Sequence, residues 1–192
     1  MGSASRRPRV AGYLDTLGLM ATVSPTPSFV CPHCGKTHVG WPTDQGYTLP
    51  DDVWAISEPE RAARAKWTTD LCQMGERRFI RGLLQIPFTD QPGYFGWGLW
   101  VELDPSAFHR YLAVYDKDGA SEPPENGRIA NQLPGYDLVL GAEVSVHFRD
   151  STQRPLIRFP GGAPGRLARE QVHGIDATRY HEILAAVGAI EP

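Results

Sequence analysis

A chain of 192 residues with 41% hydrophobic side chains is long enough to bury one substantial core and short for two, so a single soluble domain is expected. Its formal net charge of -3 and pI near 6.1 give no bulk attraction to nucleic-acid phosphates or anionic lipid, which disfavours roles resting on overall charge. No apolar run approaches the roughly 18 residues of a spanning helix, and 20 Gly with 17 Pro predict frequent turns between short strands.

In chain order, residues 1–28 read as a flexible leader. Ser5-Arg6-Arg7 followed by the apolar stretch Val10 to Val23 invites an export-signal reading, but Asp15 interrupts the stretch and no small-residue cleavage pattern closes it. Residues 29–192 are expected to form one domain. Phe29-Val30 and Thr37 to Trp41 read as strands flanking a short knuckle, and residues 42–52 are turn-rich. Ser57-Glu58-Pro59-Glu60 has the spacing of a capping box and predicts a helix to about Lys66. Thr69 to Met74 and Arg77 to Ile86 predict a hairpin around Gly75-Glu76. In its second strand, Phe79, Arg81, Leu83 and Gln85 alternate with Ile80, Gly82, Leu84 and Ile86.

Tyr94 to Leu103 predicts a strand covered on both faces, with Gly96 and Gly98 leaving room for a close approach. Asp104-Pro105 then predicts an N-cap and the first helical position, and Phe108, Tyr111, Leu112 and Tyr115 recur at helical spacing as far as about Asp116. Lys117 to Glu125 reads as a polar loop. Further strands are expected over Arg128 to Gln132, Leu138 to Phe148 and Pro155 to Phe159. One short helix is expected from Pro164 to Gly174, and a last one capped by Asp176 with Tyr180, Ile183, Leu184 and Val187 as its apolar stripe. Strands in hairpin order with helices between and after them predict an α+β fold on an antiparallel sheet, with helices packed at one face or end and a small zinc-knuckle subregion.

The knuckle is carried by Cys31, Cys34 and His38 in the order Cys-x-x-Cys-Gly-x-x-His, with the only other cysteine, Cys72, a hairpin's length later. Three thiolates and an imidazole match a closed Cys3His site for structural Zn²⁺. A metal-free knuckle with Cys72 buried is the plainer alternative. If Cys72 faces the core, water at the fourth position makes the site catalytic, with Asp70, Asp44 or Glu76 as candidate base. A redox Cys-x-x-Cys lacks a following helix, because Gly35, Gly40 and Pro42 punctuate that segment. Three cysteines cannot all pair, so reduced thiols in a cytoplasmic compartment are expected.

Arg81 stands in an otherwise apolar strand, and Arg154 and Arg158 flank Pro155-Leu156-Ile157. Arginines in such settings need partners, which an anionic ligand or internal pairing with Glu102 or Asp70 supplies. Trp100, Asn131 and Tyr136 complete a candidate ligand set with Arg81 and Arg154. Alternatively Trp100 is core and Pro134-Gly135 an ordinary turn. His109, His147, His173 and His181 lack metalloprotease spacing, and the chain has no nucleophile elbow, no phosphate loop with a lysine and no dinucleotide fingerprint.

These features predict a zinc-stabilised cytoplasmic recognition protein for a partner protein or a small anionic ligand. The alternatives are a zinc-dependent or arginine-pocket enzyme acting on a phosphorylated or carboxylated substrate, with Glu102 or His147 as acid or base, and an antitoxin-like or immunity protein. No catalytic residue is assigned. Membrane partners are not expected, and nucleic acid is disfavoured because Phe29 to Asp52 holds one lysine and no arginine.

The ordered set of the knuckle, Asp70-Leu71-Cys72, Phe79-Ile80-Arg81-Gly82, Ile86-Pro87, Phe95-Gly96-Trp97-Gly98-Leu99-Trp100-Val101, Asn131-Gln132-Leu133-Pro134-Gly135-Tyr136, Arg154-Pro155 and Leu167-Ala168-Arg169-Glu170-Gln171 before Gly174-Ile175 resembles the bacterial domain-of-unknown-function 2199 family. The resemblance runs from about Phe29 into the last helix and implies the zinc set and a single domain without naming a reaction. Gly165-Arg166 departs from the His-Pro found there in similar members, so no role for that histidine transfers.

Overall fold

The computed structural model describes residues 28–30, 37–39 and 43–190, so nearly all of the expected leader lies outside the described residues. Strands β1 (Ser28–Val30) and β2 (Thr37–Val39) pair antiparallel, as the knuckle reading expects. There follow β3 (Asp44–Gly46), α1 (Asp51–Trp54), α2 (Glu58–Arg64), β4 (Ala65–Trp67), β5 (Leu71–Met74) and β6 (Arg77–Pro87). The second half runs β7 (Tyr94–Leu103), α3 (Pro105–Ala113), β8 (Glu125–Ile129), β9 (Glu143–His147), β10 (Leu156–Arg158), α4 (Arg166–His173) and α5 (Ala177–Ala186).

The long hairpin of β6 and β7 organises everything else. Its strands stay in antiparallel register from Arg78 opposite Leu103 to Pro87 opposite Tyr94, and both change outer partner part-way. Along β6 the partner switches from β5 to β10, and along β7 from β3 to β8. The sequence β6-β7-β8-β9-β10 thereby closes on itself as a five-stranded barrel, with β3, β5 and β4 as extensions.

This corrects the expectation of an antiparallel sheet. Strand direction alternates around the ring, so an odd number of strands forces the closing pair to run parallel, and β10 meets β6 that way. Strand β3 also joins β7 in parallel. At the closing seam an added Cβ on Gly82 would stand 2.5 Å from Ile157 Cδ1, so a glycine is what lets these strands approach.

The alternation read in β6 holds: Ile80, Leu84 and Ile86 point into the barrel with Phe95, Trp97, Leu99 and Val101 of β7, all fully buried. Tyr180 of α5 packs its ring 5.7 Å from that of Phe95, and Tyr111 of α3 packs 5.0 Å from Phe148. A second cluster outside the barrel gathers Leu49, Val53, Ala65, Cys72, Phe79 and Trp100.

Local differences have local causes. Ser57 is the N-cap of α2, but its side chain makes no capping bond. The carbonyls ending α1 are instead taken by Arg61, which donates to Val53 O, Trp54 O and Ile56 O at 2.7–2.9 Å. The helix stops at Arg64 because Ala65 turns extended, pairs with Met74 and joins the second cluster. Asp104 and Asp176 cap as read, accepting from Ala107 N and Arg179 N, each at 2.8 Å. Strand β8 begins three residues before the expected Arg128. Strand β9 begins five after the expected Leu138, because Gln132 Oε1 accepts from Val139 N and Leu140 N and holds that stretch as a turn.

Candidate functional site

Arg81 belongs to the outward set of β6, directly opposite Trp100 of β7. Beside it β7 is bare, since Gly96 and Gly98 share its outward face opposite Gln85 and Leu83 of β6, and β3 sets Asp44 opposite Gly96 and Gly46 opposite Gly98. Thr43 O accepts from Gly96 N at 2.8 Å, and Gly98 O accepts from Tyr47 N at 2.9 Å, which fixes β3 in place. The Arg81 guanidinium lies over this bare floor. A Cβ on Gly46 would collide with its Nη2, and a Cβ on Gly98 would stand 3.6 Å from the same atom. Gly46 is therefore what allows the guanidinium to occupy this position, and Gly98 leaves the floor beneath it open.

The floor opens into a trough of about 830 Å³. Arg81, Arg149 and Arg154 line it together with Asp44 and Asp70, and the Tyr94 ring lines it beside Gly96. Arg154 Nε donates to Asp70 Oδ1 at 2.8 Å, and Thr69 Oγ1 donates to Asp70 Oδ2 at 2.9 Å. Asp70 is thus committed, and the internal pairing expected for one of the arginines is formed by Arg154. Among the described residues Arg81 makes no ion pair, and its Nε is buried without a hydrogen-bond partner. Burial and the neighbouring Arg154 charge push its pKa down, with Asp70 and Asp44 opposing. Since a guanidinium keeps its proton in a protein, that direction describes a cation short of counter-charge.

The remaining expected ligand residues lie elsewhere. Trp100 shares Arg81's face but is fully buried in the second cluster, with Nε1 donating to Tyr47 O at 3.2 Å. Asn131 is fully buried and spends its amide on structure. Its Oδ1 accepts from Trp100 N at 2.8 Å, and its Nδ2 donates to Leu49 O and Asp51 Oδ1 at 2.9 and 2.8 Å. Tyr136 donates its hydroxyl to Glu170 in a separate buried network. Glu102 is held bidentately by Arg77 at 2.8 and 2.7 Å in another cavity of about 660 Å³, where Arg128 and Glu143 also stand 4.0 Å apart. His147 faces Ser145 Oγ at 3.1 Å, away from the trough, and burial with the nearby Arg158 lowers its pKa. Arg81 and Arg154 therefore converge, while Trp100, Asn131, Tyr136, Glu102 and His147 do not join them.

Of the zinc set, Cys31 and Cys34 lie outside the described residues, and His38 is placed on β2 opposite Phe29. Cys72 is 1% exposed, packed with Leu49, Val53, Phe79 and Trp100, and burial raises its thiol to about 11. Apolar walls favour the protonated thiol, so a zinc ion held here would have to keep Cys72 as the thiolate against that burial. Among the described residues no three metal-binding side chains cluster.

Sequence reasoning missed Arg149 and Gly46, and it noted Asp44 only as a possible base for a metal-bound water. The two glycines of β7 on one face were a legible signal. The short strand supplying Asp44 and Gly46 was not, because three residues carry no periodicity.

No helix among the described residues is long and apolar enough to cross a membrane. Searches of curated proteins and of solved structures find no match. The family model described as an uncharacterised protein conserved in bacteria matches residues 30–175, which include the whole trough, and the chain belongs to that family, DUF2199.

Proposed function

We propose that this protein is a recognition protein that binds a small anionic ligand in the trough, with Arg81 as the primary anchor. The observation that supports this most is a cation with a buried, unbonded Nε placed over a floor of glycines, in a cavity of ligand-binding size. A guanidinium presents a fork of donors suited to phosphate or carboxylate oxygens, and a partly desolvated one gains most from them. Arg154, already oriented by Asp70, supplies a second positive charge on the same wall. Calorimetric titration with inorganic phosphate tests the reading: the wild-type protein binds, and Arg81→Ala weakens binding at least tenfold. Equal binding by both proteins defeats it.

Structural zinc at Cys31, Cys34 and His38 is a second part of this reading, carried by their spacing, and it suits a cytoplasm that keeps thiols reduced. Because of its apolar surroundings, Cys72 is the ligand in question. Metal analysis of Cys31→Ser and Cys72→Ala decides it: zinc lost from both supports the four-residue set, and zinc kept by Cys72→Ala assigns the fourth position to another donor.

A further inference from the structure

We infer that the ligand of this trough is a nucleoside monophosphate, with its phosphate on Arg81, a ribose hydroxyl on Asp44 and its base against Tyr94. This rests on the anion-binding reading above and adds the chemistry of the rest of the molecule. An inorganic oxyanion fills a small fraction of about 830 Å³, which leaves room for a larger molecule that carries one.

The two glycines of β7 serve as rulers. Positions two apart on one strand face are about 7 Å from each other. At the Gly98 position the side-chain neighbour is Arg81 Nη2, 3.6 Å from an added Cβ, with only the β3 backbone as close. At the Gly96 position the neighbours are Leu83 Cδ1 at 3.0 Å, Tyr94 Cε2 at 3.6 Å and Asp44 Cβ at 3.7 Å. The cation thus stands at one glycine position and the carboxylate and aromatic ring together flank the other, at a spacing of the order that separates a 5′-phosphate from the rest of its nucleoside. Tyr94 is 43% exposed, so its ring is open to a stacking partner, and Phe88 and Pro92 add apolar surface at that end. An ionised carboxylate only accepts hydrogen bonds, so Asp44 next to an anion site selects a ligand that brings hydroxyl donors there. Such a carboxylate on ribose hydroxyls is a recurrent device of nucleotide sites. A polynucleotide needs a continuous basic track, and the two aspartates in the trough with a net charge of -3 do not provide one.

The experiment titrates the full chain with four probes: AMP, ribose 5-phosphate, adenosine and inorganic phosphate. AMP is expected to bind at least about fivefold more tightly than ribose 5-phosphate, since stacking of a base on an aromatic ring is worth that much or more. Tyr94→Ala should abolish this advantage and Tyr94→Phe restore it, while neither changes phosphate binding. Asp44→Asn should weaken AMP about fivefold and leave 2′,3′-dideoxy-AMP unchanged. Equal affinity for AMP and ribose 5-phosphate, indifferent to Tyr94, overturns the nucleotide inference and leaves the anion reading standing. Failure of every phosphate-bearing probe to bind the folded wild-type protein overturns both.

Discussion

Two arginines of this protein, Arg81 and Arg179, are withdrawn from water in different ways, and the contrast separates a ligand site from a structural one. Arg179 is fully spent. Its Nε donates to Glu170 at 2.8 Å, Nη1 to Glu182 at 3.0 Å and Nη2 to Gly135 O at 3.1 Å, and its guanidinium carbon lies 4.6 Å from the centre of the Tyr136 ring. Arg166 clasps the same two glutamates at 2.7 and 3.3 Å, so the network binds α4 to α5 and to the turn before Tyr136. Arg81 has none of this, although Asp70 and Asp44 are near enough to act on its charge. Burial alone does not identify a functional arginine; unspent hydrogen-bonding capacity in front of a cavity does.

The largest expected effect comes from breaking the spent arginine. Arg179→Ala leaves Glu170 with Arg166 and the Tyr136 hydroxyl and should cost about 3 kcal/mol of stability, read from urea unfolding, because half of a buried pair is left behind. A cost below about 1 kcal/mol would place the clamp among ordinary surface pairs. Next is Asn131→Ala, which removes three hydrogen bonds that tie β7, the loop before α1 and the first residue of α1 together and should cost about 2 kcal/mol. Anion affinity should be untouched, since Asn131 does not line the trough; a loss there would return it to the ligand set.

Gly46→Ala sharpens the comparison from the other side. The new methyl displaces the Arg81 guanidinium, so phosphate binding should fall at least tenfold while stability changes by about 1 kcal/mol or less. Unchanged binding would mean the bare floor does not set the arginine's position. The smallest effect on stability is expected for Arg81→Ala, within about 0.5 kcal/mol, since removing an unbonded, partly buried polar group relieves its desolvation cost. A loss comparable to that of Arg179→Ala would make Arg81 structural after all.

The legible parts of this chain were the local ones. Asp104 with Pro105, Asp176, the Gly75-Glu76 turn and the alternation through Arg81 each declare themselves within a few residues, and all appear as read. Phe29-Val30 with Thr37-His38-Val39 likewise forms the expected pair. What failed was competition between local signal and distant packing. Ala65 and Lys66 read as the end of a helix, but pairing with β5 and burial of Ala65 in the second cluster outweigh helix propensity there. Arg81 and Arg154, which line one trough, stood out as charges within or beside apolar segments. Trp100 and Asn131 lie apart from them, because the loop before α1 folds over both, which their outward or polar character does not reveal.

The sequence by itself determined the strand and helix periods, the two glycines on one face of β7 and the arginine that had to find a partner. Only the tertiary structure decided that five strands close with one parallel seam, that Arg154 takes Asp70, and that β3 brings Asp44 and Gly46 beside Arg81 from about 35 residues away. The physical reason is that alternation and capping act between neighbours along the chain. Which charge is neutralised and which is left open depends on groups that meet only after loops have closed, and no local pattern encodes that choice.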